Sequence, residues 1–257
     1  MHLWPHSGKK QSSDSKRELP EQGLEEDRKY LSIVSLPAPC KTGGSLLTEA
    51  LISRRSVRDF LYEKISVQQL SDLLWAACGV NLIKGKEEKK KYYFTNPTAS
   101  NHREVSIYVF SDKGIFLYEP IRNELLQLGK YDRRKKLSNL PFVKKAAISL
   151  CIVSDIDKMV RHKDTFRQQL YSSMDAGYVS QNIYLHCAAN GLATCACGLI
   201  DREKISKILG LTNAKVMLVH PIGIKKRNNE RIQSILAERE ENNDHRSFQW
   251  YWSSMRH

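Results

Sequence analysis

Apolar residues recur at helical spacing in the segment SSMDAGYVSQNIYLHCAANGLATCACG, which spans residues 172–198. One stripe consists of Ala176, Val179, Ile183 and Cys187, and a second consists of Tyr178, Leu185 and Ala189. A helix that is apolar on more than one side is normally buried, and Gly191 supplies the left-handed turn that ends it. The pattern therefore predicts a buried central helix. The small residues of LATCACG that follow predict a loop that a flat ligand could approach closely.

Other helices are indicated by their capping residues. Ser66 with Gln69 three residues later has the pattern of a capping box. Its helix would bury Leu70, Leu73, Leu74 and Ala77 and end at Gly79. A short helical turn is predicted over residues 46–52, and a second short helix runs from the cap Asp201 to about Gly210. Residues 156–170 are predicted to form a charged surface helix that leads into the central one.

Four segments have the pattern of strands. Residues 105–110 alternate between polar and apolar positions, and residues 114–118 pair back on them as a hairpin. Residues 146–153 and 216–224 are nearly continuous apolar runs, which is typical of strands in the middle of a sheet. The charged residues 84–91 are predicted to be a solvated loop.

The chain of 257 residues is long enough for one substantial domain or two small ones. Its first 44 residues are rich in Ser, Lys and Glu, so we expect a mostly disordered leader that becomes extended over LPAP. The folded domain is predicted at 45–227. The charged tail at 228–257 ends in an aromatic cluster, and it either crosses to a partner subunit or is disordered.

The net charge of +13 favours anionic partners, which include phosphorylated cofactors, nucleic acid and acidic surfaces. The most basic segment, 130–145, has little aromatic interleaving and no nucleic-acid-binding motif, so a solvated face is favoured over a nucleic-acid site. The six cysteines are scattered in apolar surroundings, which indicates reduced thiols in a cytoplasmic protein. No apolar run is long enough to span a membrane, and no signal-peptide core is present.

Three segments carry candidate binding chemistry. SRRSVRDF at 53–60 places three arginines and two serines within eight residues, and the planar guanidinium fork fits phosphate oxygens. A solvated basic loop is the alternative. PTASN at 97–101 carries hydrogen-bonding groups just before a strand, and a plain Asx-type turn is its alternative. Lys225, Lys226 and Arg227 follow the last core strand and could hold a phosphate.

The cysteines near the LATCACG loop also suggest two other functions. Cys195 and Cys197, with Cys187 and His186 nearby, could bind zinc, but the paired Cys-x2-Cys units of structural zinc sites are absent. A disulfide between Cys195 and Cys197 would be strained by the one-residue spacing. Small loop and core residues are therefore the favoured interpretation, and no metal is predicted.

In this order, three motifs resemble the FMN-dependent nitroreductase family. They are RRSVRDF at 54–60, PTASN at 97–101 and QNIYLHCAANGLAT at 181–194. GIFLYEP and LSDLLWAACGVN look especially like short members that also resemble peptide-azoline oxidases. The resemblance covers about residues 45–226. It implies an α+β fold with a mainly antiparallel central sheet flanked by helices, and a homodimer with FMN and the buried central helix at the subunit interface.

The resemblance also implies which residues bind FMN. Arg54, Arg55, Ser56 and Arg58 would hold the phosphate and ribityl end, and Lys225, Lys226 or Arg227 would close that site. The PTASN loop, with Pro97, Thr98, Ala99, Asn101 and Arg103, would hold the pyrimidine edge or ribityl chain from the other subunit. Cys195, Ala196, Cys197 and Gly198 would offer backbone groups near the flavin N5 and O4.

The implied activity is hydride transfer from NADH or NADPH, through the flavin, to an electron-poor acceptor such as a nitroaromatic or a quinone. The flavin carries this chemistry, so no catalytic side chain is assigned, and one shared stacking site gives ping-pong kinetics. Alternatives are an azoline-oxidising dehydrogenase that acts on a modified peptide and a non-catalytic protein that binds flavin or nucleic acid. Arg103 in place of the commoner glutamine and Cys197 in place of an arginine are departures that bear on substrate range. An insertion at 84–94 lengthens the approach to PTASN.

Overall fold

The computed structural model describes residues 30–86, 89–162 and 164–226. Arg227 and the predicted tail at 228–257 lie outside the described residues, as do residues 1–29 of the predicted leader. Within the described ranges the chain folds as strands and helices around one main sheet.

Five helices lie in the described part of the chain. They are α1 (Leu47–Ser53), α2 (Val67–Cys78), α3 (Pro141–Lys145), α4 (Thr165–Ala189) and α5 (Arg202–Leu209). The predicted capping box at the start of α2 is confirmed, since Ser66 Oγ accepts from the Gln69 N–H and the Gln69 side chain accepts from the Ser66 N–H. Asp201 caps α5 with a single bond, in which its side chain accepts from the Lys204 N–H.

The described strands form an eight-stranded main sheet and a separate hairpin. They are β1 (Ser32–Ser35), β2 (Phe60–Leu61), β3 (Val80–Lys84), β4 (Lys91–Phe94), β5 (Val105–Ser111), β6 (Gly114–Glu119), β7 (Glu124–Gly129), β8 (Ile148–Asp155), β9 (Leu192–Thr194) and β10 (Ala214–Lys225). The main sheet has the order β1-β7-β6-β5-β8-β10-β2, with β9 also paired to β10, and β3 pairs with β4. Every one of these pairings is antiparallel, so the α+β, mainly antiparallel fold is confirmed.

Strand β8 is buried on both faces because apolar layers cover each side of the sheet. Leu150 and Ile152 point into the core that α2 and α4 close. Cys151 and Val153 point to the opposite face, where α5 contributes Ile205. This two-sided burial explains why β8 reads as a continuous apolar run.

Helix α4 begins at the cap Asp164, whose side chain accepts from the N–H groups of Phe166 and Arg167. The predicted stripe of Ala176, Val179, Ile183 and Cys187 is buried, as the periodicity requires. In the second stripe Tyr178 is 41% exposed, whereas Leu185 and Ala189 are partly buried. The side of α4 that carries Tyr178 is therefore only partly covered by the described residues.

Two sequence predictions differ from the structure. Residues 156–170 are not one helix, because a 3-10 turn at Ile156–Lys158 is followed by the Asp164 cap that starts α4. The predicted leader supplies β1, whose residues pair with β7. All four β1 residues are exposed, so backbone pairing rather than burial places this strand, and its composition carries no core pattern.

Gly223 in β10 allows β2 to pack closely, because a Cβ at this position would lie 2.7 Å from the Phe60 Cβ. We expect Gly223→Ala to lower the free energy of unfolding by about 1–3 kcal/mol through overpacking. Gly129→Ala is the matched control, since the nearest atom to its Cβ would be at 3.9 Å. Urea unfolding of both variants checks this, and equal midpoints would contradict the close approach.

Candidate functional site

The Tyr184 hydroxyl joins the two loops that the sequence predicts to bind the cofactor. Tyr184 lies on α4, and its Oη is 2.8 Å from Ser56 Oγ in the RRSVRDF loop. The same oxygen accepts a hydrogen bond of 2.8 Å from the Ala196 N–H in the CACG loop. The Val57 N–H also donates to the Thr194 carbonyl, at 2.9 Å. Residues that are far apart in sequence thus form one corner beside the end of α4.

Arg54 faces this corner, and Arg58 of the same loop lies beside it, with Nη1 donating to the Ser56 carbonyl at 3.4 Å. The Arg54 guanidinium lies over the Tyr184 ring, 5.3 Å from its centroid, and among the described residues it has no ion-pair partner. Arg58 lies over the Phe142 ring, at 5.9 Å. Arg55 is used differently, since its Nη1 donates to the Ile52 and Arg54 carbonyls at the end of α1.

The end of β10 contributes two lysines to the same corner. Strand pairing places Lys225 opposite Phe60, two residues beyond Arg58. Lys226 forms an ion pair of 2.8 Å with Asp59, so part of its charge is already balanced. The sequence prediction that these lysines lie near the RRSVRDF loop agrees with this strand pairing, whereas Arg227 lies outside the described residues.

The CACG loop offers fewer free backbone groups than its composition indicates. Cys197 N–H and C=O both pair with Val219, at 2.8 and 3.1 Å, and the Ala196 N–H is taken by Tyr184. A backbone donor to a ligand would therefore come from Cys195 or Gly198. Burial and the neighbouring Cys195 raise the pKa of the Cys197 thiol to about 12, with Arg58 acting weakly in the opposite direction, so Cys197 is an unreactive core residue.

A buried polar trio supports Tyr184 from below. The His220 ring makes hydrogen bonds with Ser180 Oγ at 2.8 Å and Thr194 Oγ1 at 3.1 Å, and Tyr184 packs against it edge-on, with ring centroids 5.3 Å apart. Burial lowers the pKa of His220 to about 3, so the ring is neutral at neutral pH. The trio fixes the Tyr184 ring without placing a charge beneath it.

The PTASN loop is held against α4 at a different place. The Ala99 N–H donates to Asp175 Oδ2 at 2.8 Å, and the Thr98 hydroxyl donates to Glu104 Oε2 at 3.2 Å. Three residues, Ser100, Asn101 and Arg103, adopt the left-handed conformation, which non-glycine residues rarely adopt without support. The loop is therefore a defined structure rather than a plain turn.

Arg103 ties the PTASN loop to the β3–β4 hairpin. Its Nη2 donates to the Tyr92 carbonyl at 2.7 Å, and its Nε donates to Asn101 Oδ1 at 3.2 Å. The guanidinium also lies 4.8 Å from the Phe94 ring centroid. Tyr92 and Phe94 lie on β4, directly after the charged residues that join β3 to β4. This charged segment therefore leads into the strand that holds the PTASN loop through Arg103. Pro97 begins the loop, and its carbonyl accepts from the Asn96 side-chain amide.

The two loop sites are separated along the central helix. Asp175 and Tyr184 are nine residues apart on α4, which corresponds to roughly 13 Å along the axis. Within the described ranges no group of three or more His, Cys, Asp and Glu residues could hold a metal ion. None of the helices described here combines the length and apolar character that crossing a bilayer requires.

The fold and these contacts define an antiparallel α+β protein whose central helix carries two polar loop sites. The model of the Nitroreductase family matches residues 51–224, which is most of the chain. The chain belongs to the nitroreductase family. This membership supports an oxidoreductase that uses a flavin, in agreement with the resemblance seen in the three sequence motifs.

Similar proteins include a Methanocaldococcus jannaschii protein whose name places it among the nitroreductases. It is 28% identical over 189 residues, which cover 70% of this chain and 91% of that protein. A crystal structure from Ralstonia eutropha JMP134, also named as a nitroreductase, matches with a TM-score of 0.67 and 27% identity, over 76% of this chain and 90% of that one. The NADPH:FMN oxidoreductase of Vibrio harveyi, solved with NAD+, shares the fold, with a TM-score of 0.53 and 20% identity over 71% and 70% of the two chains.

Sequence reasoning did not identify Tyr184, His220, Glu104 or Asp175 as site residues. Tyr184 lies inside the QNIYLHC motif, but nothing in the local pattern distinguishes it from the other residues of the helix. Glu104 and Asp175 are single acids in apolar or mixed surroundings, and they become a pair only when the sheet and α4 pack. A carboxylate directly before an apolar strand was the one local signal available for Glu104.

Removing the Tyr184 hydroxyl should lower the stability of the fold while the aromatic ring still fills its place in the corner. Tyr184→Phe keeps the ring but leaves Ser56 Oγ and the Ala196 N–H without their shared partner. We expect the free energy of unfolding to fall by about 1–3 kcal/mol. Tyr131→Phe is the control, because that side chain is 74% exposed and lies outside the corner. Thermal unfolding of both variants measures the difference, and equal losses would argue against the hydroxyl as a junction.

Proposed function

We propose that this protein is an FMN-dependent NAD(P)H oxidoreductase that reduces electron-poor acceptors such as nitroaromatics or quinones. The observation that carries the proposal is the Tyr184 corner. There the RRSVRDF loop, the CACG loop and the end of β10 meet, with Arg54 over the Tyr184 ring and Arg58 donating to the Ser56 carbonyl. Membership in the nitroreductase family supports the flavin, and the corner supports a flavin that carries a phosphate.

The donor set of the corner fits FMN. A phosphate dianion requires charge-assisted donors, and the corner supplies the guanidinium of Arg54, that of Arg58 and the Ser56 hydroxyl. The Lys225 backbone N–H donates to the Gly191 carbonyl, which holds the start of β9 against the end of β10. Strand pairing and helix packing thus hold the backbone that carries the basic groups. This keeps the groups oriented before a ligand binds.

FMN supplies hydride transfer through its N5 atom when it is bound. The chain contributes binding and orientation. Arg54 and Arg58 neutralise the phosphate, and Tyr184 holds the two adjoining loops at fixed separation. Donors from Cys195 or Gly198 would stabilise negative charge on the ring. Because His220 is neutral and Cys197 is buried and protonated, neither is assigned a proton-transfer role, and no catalytic side chain or metal is proposed.

The proposed assembly is a homodimer with two flavin sites at the subunit interface, one for each chain. Four apolar residues recur every fourth position along α4, so they form a stripe on one side of the helix. These residues of the α4 stripe are Phe166, Leu170, Met174 and Tyr178, with exposures of 70, 43, 45 and 41%. An exposed stripe of this length is typical of an interaction surface. A second copy would cover it and bring its PTASN loop, held at Asp175, toward the Tyr184 corner.

Two other functions are kept as alternatives. An azoline-oxidising dehydrogenase would use the same flavin site but would require a modified peptide, for which the basic segment 130–145 could recruit an acidic leader. Non-catalytic binding of flavin or nucleic acid would use the charge alone. The exposed Tyr131, with Arg133 over its ring at 5.9 Å, is the stacking pair that a nucleic-acid site would use. Steep salt dependence of binding would favour the nucleic-acid function.

We propose a cytoplasmic location.

Reduction of the bound flavin by a nicotinamide donor tests the proposal. The yellow protein should bleach when NADH or NADPH is added without air and regain its colour with a nitroaromatic or quinone. Steady-state rates should give parallel double-reciprocal lines, because donor and acceptor use one position in turn. If dithionite bleaches the protein but neither NADH nor NADPH does, a nicotinamide as electron donor would be contradicted. Turnover only with an azoline peptide would favour the dehydrogenase.

A further inference from the structure

Glu104 and Asp175 form a buried carboxyl pair beneath the PTASN loop. Glu104 is fully buried at 0% exposure, and Asp175 is 2% exposed. Glu104 lies just before β5, and Asp175 lies on α4, so the pair forms where the helix packs on the sheet. Each carboxyl binds one of two consecutive loop residues, Thr98 and Ala99, and the neighbouring Asp175 adds to the rise that burial causes in the pKa of Glu104. Two carboxylates this close cannot both be charged without a large cost in a buried site.

The hydrogen bonds around the pair show where one proton belongs. Glu104 Oε2 accepts from the Thr98 hydroxyl at 3.2 Å, whereas the buried Oε1 has no donor among the described residues. A carboxylate oxygen without a donor is costly to bury. If Oε1 carries a proton, it becomes a donor to the neighbouring Asp175 carboxylate, and the unpaired oxygen is explained. Asp175 Oδ2 remains the acceptor for the Ala99 N–H.

The pair contacts the PTASN loop at two consecutive residues. Asp175 binds the backbone of Ala99, and Glu104 binds the side chain of Thr98, whose Oγ1 in turn accepts from the Arg103 N–H at 3.0 Å. These bonds enclose the left-handed residues Ser100 and Asn101. Of the three left-handed residues, only Asn101 is of a type that adopts this conformation readily, so the pair supplies part of the energy that holds Ser100 and Arg103.

We propose that Glu104 and Asp175 share one proton, and that this shared proton holds the PTASN loop in the conformation that binds the flavin. The inference rests on the proposed function for the role of the loop, but the shared proton itself does not depend on a flavin. Glu104 and Asp175 are positioning residues, because they act on a ligand only through Thr98 and Ala99.

The other charged groups near the pair do not supply a compensating cation to Glu104. His102 is buried, with Nδ1 3.0 Å from the Lys158 carbonyl, and burial lowers its pKa. His162 and Arg161 bind Ser100 from the turn before α4. Arg103 points away, to Tyr92. Burial, assisted by Asp175, raises the pKa of Glu104 to about 7, which agrees with a proton retained near neutrality.

The sign of the pH dependence follows from the raised pKa of Glu104. A carboxyl whose pKa is higher in the folded state stabilises the fold fully below its ordinary pKa, and that stabilisation is lost as the pH rises through about 7. The loop should therefore be held more firmly at mildly acidic pH. Flavin affinity, in the proposed function, should decrease over the same interval.

Glu104→Gln tests the shared proton directly, because the amide supplies one donor and one acceptor at every pH. Apo-protein is unfolded by heat from about pH 5.5 to about pH 8.5, on both sides of the transition. We expect the melting temperature of wild type to fall through neutrality more steeply than that of Glu104→Gln. FMN titrations at the same pH values should show a wild-type affinity that falls about three- to tenfold relative to the variant.

Glu119→Gln is the matched control, since that buried carboxylate already accepts from the Ile121 and Arg122 N–H groups. It should follow the wild-type pH profile. Parallel profiles for wild type and Glu104→Gln in the apo-protein would overturn the shared proton. If the melting temperatures of wild type and Glu104→Gln diverge with pH but their FMN affinities stay parallel, the link between the shared proton and the flavin loop would be overturned. Failure of every variant to bind FMN would overturn the proposed function but leave the apo-protein result intact.

Discussion

Arg54→Ala should weaken FMN binding tenfold to a hundredfold while leaving riboflavin binding nearly unchanged. The Arg54 guanidinium lies over the Tyr184 ring and has no ion-pair partner among the described residues, so its charge is available to a phosphate. Loss of a charge-assisted hydrogen bond of this kind costs about 1.5–3 kcal/mol. Riboflavin lacks the phosphate and would not sense the change.

Flavin fluorescence titration of apo-protein with both ligands measures the effect. Arg133→Ala is the matched control, because Arg133 is exposed and lies beside Tyr131, outside the proposed corner. Arg55→Ala should differ from Arg54→Ala, since Arg55 donates to the last carbonyls of α1. Its loss of FMN affinity should come with a lower melting temperature. Equal FMN affinity in wild type and Arg54→Ala would exclude this phosphate site.

Met174→Glu should convert the proposed dimer into monomers and remove FMN binding at the same time. Met174 lies in the middle of the α4 stripe and is 45% exposed in the single chain, so the folded monomer tolerates a charge there. Burying an unpaired carboxylate at an interface would raise the dissociation constant a hundredfold or more, about 3 kcal/mol. Light scattering gives the mass, and the absorbance of the same sample gives the bound flavin.

Tyr131→Glu provides the control for added charge, because Tyr131 is 74% exposed and lies away from α4. It should leave both mass and flavin content unchanged. A Met174→Glu protein that stays dimeric and yellow would contradict the α4 stripe as the interface. A monomer that retains full FMN affinity would show that one chain completes the site alone.

Local sequence patterns predicted the elements that are stabilised by local interactions. The capping box at Ser66, the cap Asp201 and the buried stripe of α4 depend on residues a few positions apart, so they are visible in a single sequence. Strand β1 was missed because its exposed residues carry no alternation and only pairing with β7 defines it. The interruption before α4 was missed because the charged residues there also suit a helix surface.

The candidate site shows the same limit at the level of single side chains. The RRSVRDF and PTASN motifs located the loops, since clustered arginines and turn residues are local features. What holds those loops is not local: Ser56 and Tyr184 are 128 residues apart, and Ala99 and Asp175 are 76 apart. Their partners could not be assigned before the helix was packed on the sheet. The same packing uses the backbone of Cys197, which composition alone presented as free.

The identity of the bound flavin tests the central claim most directly. The protein, purified without added cofactor, is denatured, and the released chromophore is identified by mass and by its response to a phosphatase. The account predicts a yellow protein that releases one FMN per chain, which phosphatase converts to riboflavin. A colourless protein that takes up no FMN when it is supplied would contradict the account, as would a protein that binds riboflavin as tightly as FMN.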